Sequence, residues 1–258
     1  MKDRLRYLRL LYRLPWLLLH TLLGTPVTVL SQSAPGQAIR IGGQSLSEVT
    51  LTWWGSTSCR IFGLRRRVYG RLPEGPQLVA ANHISWIDIP LLHSLAAMGF
   101  VAKAEISQWP LIGSMARVGG TVFHQRGNHD SASGVASAMA KRLDEGGRVA
   151  IFPEGGILPG EGVKRFHARM FGPAIETATP VQPVMLRYTR GGHPYHDITF
   201  RPGEHFLGNF FRLLTQAPCL AEIHVLPPVS TSGRQRREVA AEAELAVRSA
   251  YAGEQAIG

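Results

Sequence analysis

From Val68 onward the chain alternates short apolar runs with stretches of helical period, and this alternation restricts the fold more than any other feature. It predicts strands near Arg67–Arg71, Leu78–Asn82, Phe100–Lys103, Thr121–Gln125, Arg148–Phe152, Val181–Tyr188 and Glu222–Leu226. Helices are expected near Ile87–Met98, Ile106–Val118, Ser131–Glu145, Phe166–Ala178 and Arg234–Ala252. Strands that alternate with helices imply an α/β fold: a mainly parallel sheet flanked by helices on both faces. Gly99, Gly119-Gly120 and Gly146-Gly147 supply turn signals between these elements. A chain of 258 residues buries enough core to need no disulfide or metal staple.

The first third reads differently. Lys2, Arg4, Arg6, Arg9 and Arg13 lie among leucines and tyrosines, and no charge follows from Leu14 to Leu30. Gly24 and Pro26 are expected to interrupt this run before it reaches the ~20 residues that span a bilayer. The expectation is an N-terminal membrane-associated segment, monotopic or a single anchor, with Trp16 and the arginines at the lipid headgroups. Basic residues at an anionic leaflet place this segment, and the N-terminus, on the cytoplasmic face of the inner membrane. A secretory signal is disfavoured because Pro35 follows the small residues Ser33-Ala34 and spoils the cleavage site. A second apolar helix, from about Ser47 to Phe62, carries Trp53 and Trp54 and precedes the basic cluster Arg65-Arg66-Arg67. The chain therefore divides into membrane-anchoring helices over 1–63 and an α/β domain over 64–258.

Lys and Arg number 28 against 18 Asp and Glu, a formal charge of +10, so an anionic partner is expected. With 45% hydrophobic residues and no series of long apolar runs, the chain is neither disordered, coiled-coil, collagenous nor a polytopic transporter. Nucleic-acid binding rests on charge alone and is not expected, because the basic residues gather near the apolar segment and no nucleic-acid motif appears. Cys59 and Cys219 form no C-x-x-C pair and read as reduced thiols.

Three clusters can carry chemistry. The first is Asn82-His83-Ile84-Ser85-Trp86-Ile87-Asp88, following the buried strand pattern Leu78–Ala81. His83 then sits at a strand's C-terminal end, where open α/β sheets place their ligand crevice. Asp88, near a helix start, can fold back on the imidazole and fix its tautomer, which makes a general base for a hydroxyl. Alone, the same spacing also fits a capping aspartate beside a core histidine. The second cluster is Phe152-Pro153-Glu154-Gly155-Gly156, where Pro153 stops a core strand and the glycines turn the chain. It delivers Glu154 and glycine-exposed N–H groups to the same sheet edge, although by itself it is equally a turn. The third runs from Gly119 to Gly127 and ends a strand at Arg126, whose fork suits phosphate or carboxylate, or a surface ion pair. No G-x-S-x-G elbow, phosphate-binding loop or dinucleotide fingerprint is present, and no histidine spacing suits a metal.

Taken together and in this order, the clusters resemble the glycerolipid (lysophospholipid) acyltransferase family with the H-x4-D motif. N-H-x-S-x-x-D matches Asn82 to Asp88; a Gly-rich turn, strand and Arg match Gly120 to Arg126; F-P-E-G matches Phe152 to Gly155; and an apolar-Pro strand matches Pro180 to Val184. The resemblance covers roughly Leu64 to Tyr188. It implies that His83 is the general base and Asp88 its orienting partner. Arg126, Glu154 and Gly155 would position the acceptor, with Asn82, Ser85 and Gly156 lining the site. It further implies an acyl-coenzyme A or acyl carrier protein donor, a lysolipid acceptor, and no metal or redox cofactor. By default the acceptor is 1-acylglycerol-3-phosphate and the product phosphatidic acid. One departure bears on that default: the family's third block continues E-G-T-R-S, whereas this chain has Glu154-Gly155-Gly156-Ile157-Leu158. Lys164 or Arg165 would have to replace the missing arginine. Relatives that acylate lyso-ornithine lipid tend to lack it, which makes lyso-ornithine lipid the alternative acceptor. A catalytically silent lipid-binding protein is the alternative of another class, opposed by the intact His83 and Asp88.

Overall fold

The computed structural model describes residues 5–104, 108, 121–124, 129–157 and 162–255. Helices are α1 Arg6–Leu19, α2 Thr25–Ser31, α3 Ala34–Ala38, α4 Leu46–Ile61, α5 Asp88–His93, α6 His129–Asp144, α7 Gly172–Glu176, α8 Phe206–Thr215 and α9 Arg236–Gln255. Strands are β1 Arg40–Ile41, β2 Gln44–Ser45, β3 Leu64–Tyr69, β4 Gln77–Ala81, β5 Gly99–Lys103, β6 Val122–His124, β7 Arg148–Ile151, β8 Val181–Arg190, β9 His193–Pro194 and β10 Cys219–Val225. The main sheet has the order β3-β10-β8-β4-β7-β5-β6, with β9 pairing β8. The pairs β4–β7, β4–β8, β5–β7 and β5–β6 are parallel, as the alternation requires.

The chain folds into two compact units. One comprises Val68–His83, Met98–Leu186 and His224–Gly258. Its core packs Leu78 and Ala80 of β4, Val149 and Ile151 of β7, and Val181 and Met185 of β8 against Val135, Met139 and Leu143 of α6 and Val239, Ala243 and Val247 of α9. These strand positions share one parity, so a single face of the sheet meets the helices. Every residue of β4 is buried, which is the reason its sequence is apolar without alternation. The helix expected over Phe166–Ala178 is a 3-10 turn, Ala168–Phe171, followed by the short α7, because Gly172-Pro173 breaks the periodicity. The helix expected over Ile106–Val118 lies outside the described residues.

The other unit comprises Met1–Arg67, Ile84–Ala97 and Arg187–Ile223. Gly24 and Pro26 do not interrupt its first helix. A π-turn over His20–Gly24 absorbs the register, Pro26 falls in the first turn of α2, and the helical run continues from Arg6 to Ser31. At 26 residues it is long and apolar enough to cross a membrane, judged by length and composition. Gly24 serves close packing: a Cβ there would lie 2.9 Å from the His20 ring and 3.1 Å from Trp53. Ser31 and Thr50 exchange a 2.6 Å hydroxyl bond that ties α2 to α4. The small and polar side chains thus face the protein, while Leu8, Leu11, Leu22 and Leu30 are exposed, the reverse of a water-facing helix.

Arg13 is not among the arginines at a headgroup layer. It is 1% exposed, and its guanidinium donates to the carbonyls of Leu214 and Gln216 at 3.1 and 2.8 Å. It thereby caps the C-terminus of α8, a helix not among those expected from the sequence. The α8 segment is braced by Glu204, whose carboxylate takes a two-point bond from Arg212 at 2.7 and 2.8 Å and a further donation from Asn209 at 3.0 Å. Asn209 in turn accepts the Trp86 indole N–H at 2.8 Å.

The Arg212 fork holds the Glu204 carboxyl well below its ordinary 4.5, at about 2. Because the folded-state value is depressed, this stabilisation is complete above pH 4.5 and is lost as pH falls toward about 2. Glu204→Gln is expected to cost ~2 kcal/mol near neutrality. Urea unfolding at pH 7 and pH 3 checks this: the gap to the parent protein should shrink to less than half at the lower pH, and an unchanged gap would contradict the assignment.

Candidate active site

The site begins where β4 ends. Asn82 continues the pairing with β8 through its side chain: its amide N–H donates to Leu186 O at 2.9 Å, and its carbonyl oxygen accepts Leu186 N–H at 2.7 Å. This brace sets the direction in which the chain leaves the sheet. The next residue is His83. Its imidazole stacks on Phe152 with ring centroids 3.9 Å apart and planes 13° from parallel, and Phe152 stacks on Phe100. Phe152 follows β7, which pairs with β4 in the register Ala80↔Ile151. The first and second sequence clusters therefore meet at one edge of adjacent parallel strands. The chain leaves β4 toward β5 and leaves β7 toward β8 on the opposite side, so this edge is a topological switch point of the sheet.

After Phe152 the chain turns sharply, with Gly155 N–H donating to Phe152 O at 3.1 Å. Gly155 has φ +81°, the left-handed region, and a Cβ there would lie 3.3 Å from the His167 ring. His167 N–H holds the turn from outside by donating to Pro153 O at 2.8 Å. Glu154 is 5% exposed, and its carboxylate accepts the Lys164 backbone N–H at 3.2 Å. That bond brings Lys164 beside Glu154 across ten residues of sequence, whereas Arg165 is exposed. Gly156 follows directly in the same turn, and Arg126 lies outside the described residues.

The loop Ile84–Ile87 and α5 belong to the other unit. Asp88 is fully buried at the first position of α5. One carboxylate oxygen, Oδ2, accepts the N–H groups of Ile84 at 2.7 Å and Ser85 at 2.9 Å, folding the loop back over its own helix start. The other, Oδ1, accepts the Tyr188 hydroxyl at 2.6 Å. Ser85 is also fully buried and donates its hydroxyl to Ile198 O at 2.9 Å. Trp86 packs among Phe62, Phe206 and Phe210. Tyr188 and His167 escaped sequence reasoning, whereas Lys164 was named there as a replacement for the missing arginine. For Tyr188 the available signal was a phenol at the end of an otherwise apolar strand.

Burial pushes the Cys59 thiol up to about 12 and the Cys219 thiol up to about 11, so neither is a ready nucleophile. Among the described residues no group of three or more His, Cys, Asp or Glu side chains is placed to hold a metal ion.

The chain has relatives among known proteins. The acyltransferase family profile matches residues 65–187. Over 201 residues, 78% of each chain, the sequence is 39% identical to a lyso-ornithine lipid O-acyltransferase of Pseudomonas aeruginosa. The chain therefore belongs to the acyltransferase family, and it is an enzyme of that class. It is also 39% identical over 118 residues to a 1-acyl-sn-glycerol-3-phosphate acyltransferase of Neisseria gonorrhoeae, covering 45% of this chain and 46% of the other. The crystal structure of the 1-acyl-sn-glycerophosphate acyltransferase of Thermotoga maritima shares the fold. Its TM-score is 0.75 over 99% of this chain and 98% of the other, at 22% identity.

Gly155→Ala tests the turn. A left-handed alanine costs ~1–2 kcal/mol, and its methyl group would press on His167. The variant should stay folded while losing most of its acyl transfer, as judged by thermal unfolding and initial rates. Undiminished transfer would show that the turn's shape is not needed.

Proposed function

We propose that this chain is a lysolipid O-acyltransferase of the membrane surface, with lyso-ornithine lipid as its preferred acceptor. The observation that carries the reading is the His83 imidazole held flat on Phe152 at the C-terminal edge of β4 and β7, with Phe152 two positions before Glu154.

His83 takes the proton from the acceptor hydroxyl as the oxygen attacks the thioester carbonyl of acyl-coenzyme A or acyl carrier protein. Asp88, five residues on and immobilised by its loop, orients the imidazole and stabilises the imidazolium. The tetrahedral intermediate expels the thiolate, which recovers the proton from His83, leaving an ester and a free thiol. The thiolate leaves readily, and neither a metal nor a redox cofactor enters the scheme. Glu154, Gly155 and Arg126 position the acceptor, and the exposed N–H groups of the Gly155-Gly156 turn suit a polar headgroup. The helical run Arg6–Ser31, with leucines outward, supports residence at a membrane, and the basic N-terminal segment is the reason for assigning the cytoplasmic face.

Two observations favour lyso-ornithine lipid as acceptor. The arginine that family members place after E-G-T is absent at Ile157, and the Pseudomonas relative bearing that activity matches over a longer stretch than the Neisseria relative. A second reading, 1-acylglycerol-3-phosphate, is favoured by Lys164, which the Glu154 bond brings to the turn as a replacement cation.

The test is acyl transfer from labelled donors to each lysolipid, using protein recovered by flotation with vesicles. Product from lyso-ornithine lipid, reduced ~100- to 10,000-fold in His83→Ala, is the expected result. Product from 1-acylglycerol-3-phosphate alone would select the second acceptor. Full activity of folded His83→Ala would sink the mechanism.

A further inference from the structure

We infer that Tyr188 is a positioning residue of the acyl-transfer reaction, its hydroxyl holding the Asp88 carboxylate in the orientation that serves His83. The inference rests on the reading of His83 as base and Asp88 as its orienting partner.

Asp88 is fully buried, and a buried carboxylate must have donors. Two of them, the N–H groups of Ile84 and Ser85, converge on Oδ2 and come from its own loop. They fix one oxygen, Oδ2, from the near side. The Tyr188 hydroxyl, from β8, reaches Oδ1 at 2.6 Å, the length of a charge-assisted bond. With both oxygens held, from two separate elements, the carboxylate plane has one orientation. Tyr188 is 3% exposed, and burial together with the Asp88 charge pushes its hydroxyl well above the ordinary phenol range. It therefore remains a proton donor at any working pH. Among the described residues, Cys59 on α4 and Cys219 on β10 act on Tyr188, Arg66 on β3 acts on Cys59, and the Arg187–Glu222 pair adjoins Tyr188 along β8. Both thiols are held neutral by burial. Arg66 bonds Ser56 and the Ser94 carbonyl. Tyr188 is thus the hydroxyl donor whose removal changes Asp88 most directly.

Tyr188→Phe removes this donor and keeps the ring. Asp88 then becomes a better proton acceptor and a looser guide for His83. The first change moves the acid limb of the kcat/KM profile to higher pH, and the second lowers kcat. We expect kcat to fall about 10- to 100-fold, the loss of one charge-assisted bond, with KM for the lysolipid unchanged. In an Asp88→Asn background the same substitution should cost little more, because Tyr188 acts through Asp88. Should Tyr188→Phe fail to fold, 3-fluorotyrosine at position 188 keeps shape and hydroxyl while strengthening donation, and it should shift the acid limb to lower pH. A folded Tyr188→Phe with the parent kcat and pH profile would overturn the inference, as would an unmoved limb in the fluorotyrosine protein or fully multiplicative losses in the double variant. His83→Ala separates the two levels: if it is inactive and Tyr188→Phe is normal, only the positioning role fails, whereas an active His83→Ala removes the underlying reading.

Discussion

Parallel pairing of β4 with β7 is the constraint on which the rest depends. Parallel strands finish at the same edge of a sheet, so the residue types that follow them share a small volume without further instruction. Leu78↔Val149 and Ala80↔Ile151 fix the register, and that register alone brings the His83 ring onto Phe152. A slip of one residue would turn the slipped strand's side chains to the opposite face and separate the two motifs. The apolar, fully buried character of β4 is therefore a functional requirement as much as a stabilising one.

Within each unit, buried polar groups act as braces. The Asn82 amide extends the β4–β8 pairing, and Asp88 pins its loop. Ser85 is tied to Ile198, and Trp86 to Asn209, which leads on to Glu204 and Arg212. Each replaces a hydrogen bond to water with one to a defined partner, so the net stabilisation per bond is modest but the cost of losing one partner is larger. Such bonds select one loop conformation from many. The residues flanking His83 in the motif thus have well-defined structural work.

Local rules made much of this legible. Apolar runs bounded by Asn82 and Pro153 mark β4 and β7, and the ordered clusters mark the family. Most of what escaped was set by distant partners. Gly24 and Pro26 read as a break because both disfavour helix locally, yet packing against Trp53 and a π-turn at His20 carries the helix through. Arg13 reads as a headgroup arginine, and only the carbonyls of Leu214 and Gln216, far along the chain, make its burial possible. Helix α8 was legible but passed over: Phe206, Phe210, Leu213 and Leu214 recur at helical spacing. Tyr188 was missed because a phenol at a strand end has no meaning until Asp88 is placed against it.

The motif serine and the two cysteines point to direct transfer. Ser85 is fully buried with its hydroxyl donated, and both thiols are buried and raised. The acyl group should then pass straight from thioester to lysolipid, with His83 moving only a proton. Intact-mass measurement of the enzyme mixed with acyl thioester in the absence of acceptor tests this most directly. The account predicts an unmodified mass and thiol release only after lysolipid is added. An added acyl mass that disappears into product on adding lysolipid would contradict it.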